Sequence, residues 1–176
     1  MRSAGDARGE GLGQPAAYLA AYAFMMSAAS YLLNLAVPTH TLAALGVPFA
    51  AWAICSGFTN VFWISLASSA LGRGCGTLVA LITAGLMLLS GSWFGIPYTW
   101  FCLCGIASYL AMGVLTETLN GGLGNLAALA INLAALGAGF GAWPSPYVAL
   151  IAAAAYATGW LGWRAGRRVA EALLRA

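Results

Sequence analysis

The chain has 176 residues, of which 62% are hydrophobic and only 6% are charged. A soluble domain carries about 25% charged residues, so this composition excludes a soluble globular protein and indicates one integral membrane domain. The net charge of +3 comes from arginine, and the arginines flank apolar stretches instead of forming the basic face that nucleic-acid binding requires.

Six apolar stretches come close to the length of about 20 residues that a membrane-spanning helix needs. They cover residues 16 to 37, 48 to 71, 75 to 91, 97 to 119, 124 to 142 and 146 to 165. The first stretch exceeds the apolar core of a signal peptide, so we expect it to be retained. The sequence therefore predicts an all-α integral membrane protein: a single domain over residues 1 to 176 with about six transmembrane helices, a polar N-terminal tail (1 to 14) and a basic C-terminal tail (165 to 176).

The arginines predict the orientation in the membrane. Arg2 and Arg8 precede the first stretch, Arg73 lies between the second and third, and the other four lie in the C-terminal segment. With six helices and a cytoplasmic N-terminus, all seven arginines fall on the cytoplasmic side, as the positive-inside rule requires. A seventh helix over residues 39 to 56 would place Arg73 and the C-terminal tail outside. We therefore expect a multi-pass protein of the cell membrane with both termini cytoplasmic.

The same orientation places aromatic residues on the outer face. They lie in or beside two outer loops, residues 90 to 100 and 142 to 147, and are Trp93, Tyr98, Trp100, Trp143 and Tyr147. An interfacial aromatic belt is the ordinary role of such residues and accounts for about half of them or more. We expect the remainder to line a ligand site.

Small residues recur four positions apart, a spacing that lets helix backbones approach closely in a membrane. The pairs and triplets are Ala16 with Ala20, Ala17 with Ala21, Ala130 with Ala134 and Ala138, Ala149 with Ala153 and Ala157, and Gly162 with Gly166. For the later helices, packing within the protein is the favoured role. The glycine-rich segment GRGCG at residues 72 to 76 is interpreted as a tight turn between two helices.

The polar and charged side chains of the apolar region argue against an enzyme. An intramembrane hydrolase needs at least two catalytic groups on facing helices, yet His40 lies in an outer loop and Glu117 near the inner end of the fourth stretch. Cys102 and Cys104 are two residues apart on a helix and point in different directions, so they do not form a metal site. Glu117 is expected to be hydrated or paired with Arg73 or a partner protein, in preference to acting in a proton relay.

Three of the asparagines within the apolar stretches are candidates for buried polar contacts. Asn132 is in the middle of the fifth stretch, where its amide should hydrogen-bond either across the bundle or to a ligand. Asn34 and Asn60 are similar candidates.

Three segments carry a family resemblance: GTLVALITAGLMLLSGSWFGIP, CGIASYLAMGVL and YATGWLGWRAGRRVAEALLRA. With the six predicted helices and inside termini, residues 16 to 176 resemble the substrate-binding S component of energy-coupling factor (ECF) transporters, the vitamin-uptake relatives of ABC importers. The thiamine or hydroxymethylpyrimidine type is the most similar subgroup. Its short SPWG-like turn is matched by Ser92, Trp93, Phe94 and Gly95.

The resemblance implies a protein that captures a micronutrient from outside and works with a transmembrane T component and two cytoplasmic ATPases. It implies no catalytic activity and no cofactor in this chain. In the family an Ala-x-x-x-Ala pattern in the first helix contacts the T component. Four residues match that pattern here: Ala16, Ala17, Ala20 and Ala21.

The charges narrow the substrate class. An anionic vitamin needs a basic partner in a desolvated site, and no arginine or lysine falls in the predicted outer half. Nickel and cobalt members of the family carry a histidine after the initiator methionine, where this chain has Arg2. Because an outer carboxylate for a thiazolium cation is also lacking, we expect a neutral or weakly cationic ring such as a thiamine precursor. The expected ligand-binding residues are Asn34, His40, Trp93, Tyr98, Trp100, Asn132, Trp143 and Tyr147.

Two other classes remain open at this point. A small-molecule exporter or channel would act without ATPases and could form an oligomer packed through the small-residue stripes. A structural or assembly membrane protein would have no ligand.

Overall fold

A computed structural model describes residues 16 to 36, 50, 52 to 90, 100 to 141 and 146 to 175. The helices are α1 (Ala16–Leu35), α2 (Gly57–Ala70), α3 (Cys75–Leu89), α4 (Trp100–Thr118), α5 (Gly121–Phe140) and α6 (Val148–Leu173). A π-helical turn, Trp52–Ser56, leads directly into α2. The described residues contain no strand. The all-α fold predicted from the sequence is therefore confirmed.

The helix bounds differ from the predicted stretches mainly at α2, α5 and α6. Helix α2 begins at Gly57, nine residues after the predicted start at residue 48, because the π-helical turn Trp52–Ser56 precedes it. Helix α5 begins at Gly121 because the Asn120 side chain caps it, accepting a hydrogen bond from Leu123 N at 3.0 Å. Helix α6 continues to Leu173, so most of the segment expected as a basic tail is helical. Its final residues, VAEAL, are mostly good helix formers with no glycine or proline to end the helix.

Within the described residues, three helical segments are long and apolar enough to cross a membrane: Tyr18–Leu35, Trp52–Ala70 and Gly121–Gly139. Two shorter apolar helical segments, Cys75–Leu89 and Leu103–Thr118, fall below that length. The helix lengths and their apolar character are compatible with a membrane protein.

The turn between α2 and α3 depends on two glycines. Gly72 has a φ of 112° and Gly74 a φ of 90°. Residues that carry a Cβ rarely adopt this region of backbone conformation. The GRGCG segment is therefore a tight turn, as predicted.

Helices α2 and α6 pack with their backbones in close contact. A Cβ atom added to Gly162 would lie 2.5 Å from Phe58 O, and one added to Gly166 would lie 2.5 Å from Phe62 O. Both glycines are buried. The expected role of this pair, packing within the protein, is confirmed.

The alanine stripes on α5 and α6 behave differently. All of their members are exposed: Ala130, Ala134, Ala138, Ala149, Ala153 and Ala157. The expectation that these stripes pack within the protein is therefore wrong. Spacing places small residues on one helix face, but it does not determine which face meets a neighbour.

Two turns, the one between α2 and α3 and the one between α4 and α5, lie at the same end of the fold as the C-terminal half of α6. Arg73, Leu119 and Arg167 from these three segments line one cavity there. We call this end the arginine end.

Candidate ligand-binding site

Four polar side chains form a buried hydrogen-bonded group between α1, α2 and α4, which we call the polar cluster. Its members are Ser30, Asn34, Asn60 and Tyr109, each at most 6% exposed. Asn60 Oδ1 accepts hydrogen bonds from Ser30 Oγ and Asn34 Nδ2, both at 2.7 Å. Asn60 Nδ2 donates to the Tyr109 hydroxyl at 3.2 Å. One amide therefore joins three helices.

Helical spacing explains how α1 contributes to this cluster. Ser27, Ser30 and Asn34 are three and four residues apart, so they lie on one face of the helix, and all three are buried. Ser27 Oγ donates to Ala23 O at 2.7 Å. A polar stripe on an otherwise apolar helix faces other helices because an unpaired polar group is costly in apolar surroundings.

Aromatic and sulfur groups border the cluster. The Tyr109 hydroxyl donates to Met87 Sδ at 3.0 Å, and the Tyr109 and Trp52 rings meet edge to face with centroids 5.9 Å apart. Trp52 opens the π-helical turn, whereas Asn34 and Met87 lie in the last turns of α1 and α3. The polar cluster therefore lies away from the arginine end, towards the opposite end of the fold.

The cluster contains one unused acceptor. Asn34 Oδ1 is buried and has no hydrogen-bond partner. An unsatisfied buried acceptor costs about 1 to 3 kcal/mol. A ligand N–H or O–H, or an ordered water, would recover that energy. The cluster thus offers an acceptor beside aromatic surface, and its members carry no formal charge.

Three of the predicted ligand-binding side chains lie within the described residues. Asn34 belongs to the polar cluster. Asn132 Nδ2 donates to Ala128 O at 3.0 Å. This hydrogen bond lies within α5 and does not cross the bundle, because the backbone carbonyl one turn earlier is within reach of the amide. Tyr147 is 61% exposed.

The other predicted side chains fall outside the described residues. The backbone of Trp100 is described as the first residue of α4, but its side chain is outside the described part. The full set is His40, Trp93, Tyr98, Trp100 and Trp143.

Sequence reasoning missed two members of the cluster, Ser30 and Tyr109. The signal for Ser30 was its distance of four residues from Asn34, with Ser27 three residues further back on the same face. Tyr109 gave no comparable signal, because a single tyrosine in an apolar helix has many roles.

A second buried amide, Asn125, joins α5 to two other segments. Its Nδ2 donates to Ala53 O in the π-helical turn at 2.7 Å and to Ala155 O on α6 at 2.8 Å. Carbonyl groups in a π-helical turn are displaced from the regular α-helical ladder, so Ala53 O is accessible to an outside donor. Asn125 therefore fixes the segment that positions Trp52 beside the polar cluster.

Glu117 on α4 caps the start of α3. Its Oε1 accepts hydrogen bonds from Gly76 N at 2.7 Å and Thr77 N at 3.1 Å, and its Oε2 accepts one from Thr77 Oγ1 at 2.9 Å. A carboxylate is favoured there by the free N–H groups and the positive end of the helix dipole. This contact differs from the expected hydration or pairing with Arg73.

Within the described ranges, no three His, Cys, Asp or Glu side chains are close enough together to hold a metal ion. Comparisons of the chain with protein-family models, with curated proteins and with solved structures found no match.

Proposed function

We propose that this chain is the substrate-binding S component of an ECF-type vitamin importer, and that it captures a neutral or weakly cationic ring such as a thiamine precursor. The observation that supports the proposal is the polar cluster, with its unpartnered Asn34 Oδ1 and its position away from the arginine end. In a six-span arrangement with cytoplasmic arginines, the cluster lies in the outer half of the membrane. A ligand entering from outside reaches this half first.

The chemistry of the cluster suits an uncharged heterocycle. Asn34 Oδ1 would accept a hydrogen bond from a ring amino group, and the aromatic side chains of Trp52 and Tyr109 would provide apolar contact. The cluster has no cationic member to neutralise an anionic vitamin. The outer-loop aromatics and His40 stay ligand contacts predicted from the sequence.

The transport partners proposed are a T component and two cytoplasmic ATPases, which would supply the energy for transport. The T component would dock on α1 through its alanine pattern. Ala20 and Ala21 are exposed in the structure, which supports their availability to a partner helix. The chain itself would bind and translocate without catalysis.

Ligand binding by matched variants tests the proposal. We expect hydroxymethylpyrimidine to bind the purified protein, measured by calorimetry or tryptophan fluorescence, and Asn34→Ala to weaken that binding about tenfold or more, since one hydrogen bond to a buried group is worth about 1 to 3 kcal/mol. Ser27→Ala is the matched control. It removes a hydroxyl from the same face of α1 but leaves the polar cluster intact.

Native mass spectrometry of the protein extracted from its own membranes supplies the second test. A co-purifying T component with two ATPases is the expected result. Equal ligand affinity in Asn34→Ala and the unmodified protein would overturn the assignment of the site. A ligand-free protein that transports alone in liposomes would overturn the importer proposal.

A channel or exporter that acts without ATPases is the second candidate. The exposed alanine stripes on α5 and α6 favour it, because small residues at this spacing suit contact between copies of the chain. A homo-oligomer that conducts or exports in liposomes without ATP distinguishes this candidate from the importer.

A further inference from the structure

An open cavity of about 370 Å³ lies at the arginine end. Helices α2, α4 and α6 line it together with the turn between α2 and α3. Its volume falls within the range of small-molecule sites. Its cationic groups are Arg73 and Arg167.

The charge in this cavity is unbalanced. Among the described residues, neither Arg73 nor Arg167 forms an ion pair. Glu117 also lines the cavity, but both of its carboxylate oxygens accept hydrogen bonds from the first turn of α3. Two guanidinium groups and one carboxylate leave one positive charge, which a single phosphodiester anion would neutralise.

The tryptophans of α6 indicate where this cavity lies relative to a bilayer. The guanidinium carbon of Arg167 is 4.9 Å from the centre of the Trp163 ring, and that of Arg164 is 4.7 Å from the centre of the Trp160 ring. A neighbouring cavity of about 540 Å³ shares Trp163 and Arg167 and adds Arg168. Tryptophan and arginine concentrate together at the depth of the lipid headgroups.

We propose that this cavity binds the phosphodiester headgroup of an anionic phospholipid. Arg73 and Arg167 neutralise the phosphate, since the planar guanidinium group matches phosphate geometry. The Trp163 ring contacts the glycerol backbone of the lipid. The site lies at the other end of the fold from the polar cluster, so it stands independently of the proposed transport function.

The test measures lipid retention by native mass spectrometry. The purified full chain in detergent is titrated with dioleoyl phosphatidylglycerol and, separately, with dioleoyl phosphatidylcholine. We expect selective retention of phosphatidylglycerol, and binding about 30-fold weaker in the double variant Arg73→Gln with Arg167→Gln, which corresponds to about 1 kcal/mol for each arginine near a membrane surface. Arg175→Gln is the charge-matched control, because this exposed arginine lines neither cavity.

Single variants separate ligand binding from folding. Arg73→Gln and Arg167→Gln each remove one exposed guanidinium group, so we expect unchanged thermal unfolding in lipid-free detergent and binding of phosphatidylglycerol about fivefold weaker in each. These variants decide the question if the double arginine variant fails to fold.

Three results would overturn the proposal. The first is equal retention of phosphatidylglycerol and phosphatidylcholine. The second is retention of phosphatidylglycerol by a folded arginine variant, double or single, at the level of the unmodified protein. The third is arginine-dependent binding of inorganic phosphate that displaces phosphatidylglycerol, which would identify a soluble anion as the ligand.

Discussion

Buried amides act as connectors in this protein because one asparagine side chain presents both a donor and an acceptor. Asn60 uses both functions to join α1 and α4 to α2. Asn125 uses its donor twice, while its Oδ1 has no partner. In apolar surroundings such bonds fix the relative rotation of helices, since an amide turned away from its partner loses its only polar contact.

Glu117 provides a prediction at the residue scale. Glu117→Gln removes the negative charge from the start of α3 and replaces one carboxylate oxygen with an amide, so the charge-assisted hydrogen bonds to Gly76 N and Thr77 are weakened. We expect the free energy of unfolding to fall by about 1 to 2 kcal/mol, measured by thermal or denaturant unfolding in detergent. Glu171→Gln removes an exposed carboxylate on α6 and should change stability little. An equal loss in both variants would contradict the capping role.

The contact between α2 and α6 shows how glycine shapes an element. Gly162 and Gly166 lie one turn apart on α6, and the absence of a Cβ lets the backbone of α2 approach. Because the atoms at 2.5 Å belong to the backbone of α2, they do not move aside as a flexible side chain would. Any side chain at these positions requires a shift of a whole helix.

A matched pair of substitutions tests this packing. We expect Gly162→Ala to lower the free energy of unfolding by about 1 to 3 kcal/mol, the usual cost of overpacking a close contact. Gly85→Ala makes the same chemical change on α3 where no heavy atom lies within 4 Å of the added Cβ. That control should be neutral or stabilising by about 0.5 to 1 kcal/mol through helix propensity. A destabilisation of similar size in both variants would show that helix propensity, and not the contact with α2, determines the effect.

At the scale of the whole molecule, the apolar stretches predicted the helices well because their lengths and the intervening Pro, Gly and charged residues are local signals. Partners across the fold were harder to predict. Asn34 and Asn60 were identified as buried amides, but their pairing with each other and with Tyr109 depends on how α1, α2 and α4 rotate as they pack. Helix rotation also explains the small residues that recur four positions apart. The glycine pair on α6 is buried, whereas the alanine stripes on α5 and α6 are exposed, and the spacing alone does not distinguish the two cases.

The orientation predicted from the arginines concerns the whole chain and is directly testable. In a variant without the native cysteines, we expect a membrane-impermeant maleimide to label Ala36→Cys on intact cells. Arg73→Cys and Arg175→Cys should stay unlabelled until the membrane is permeabilised, because four helices separate them and return the chain to the same side. Labelling of these two positions from opposite sides would contradict an even number of spans between them. Labelling of both from outside would invert the orientation and place the polar cluster towards the cytoplasm, which would remove the basis for uptake from outside.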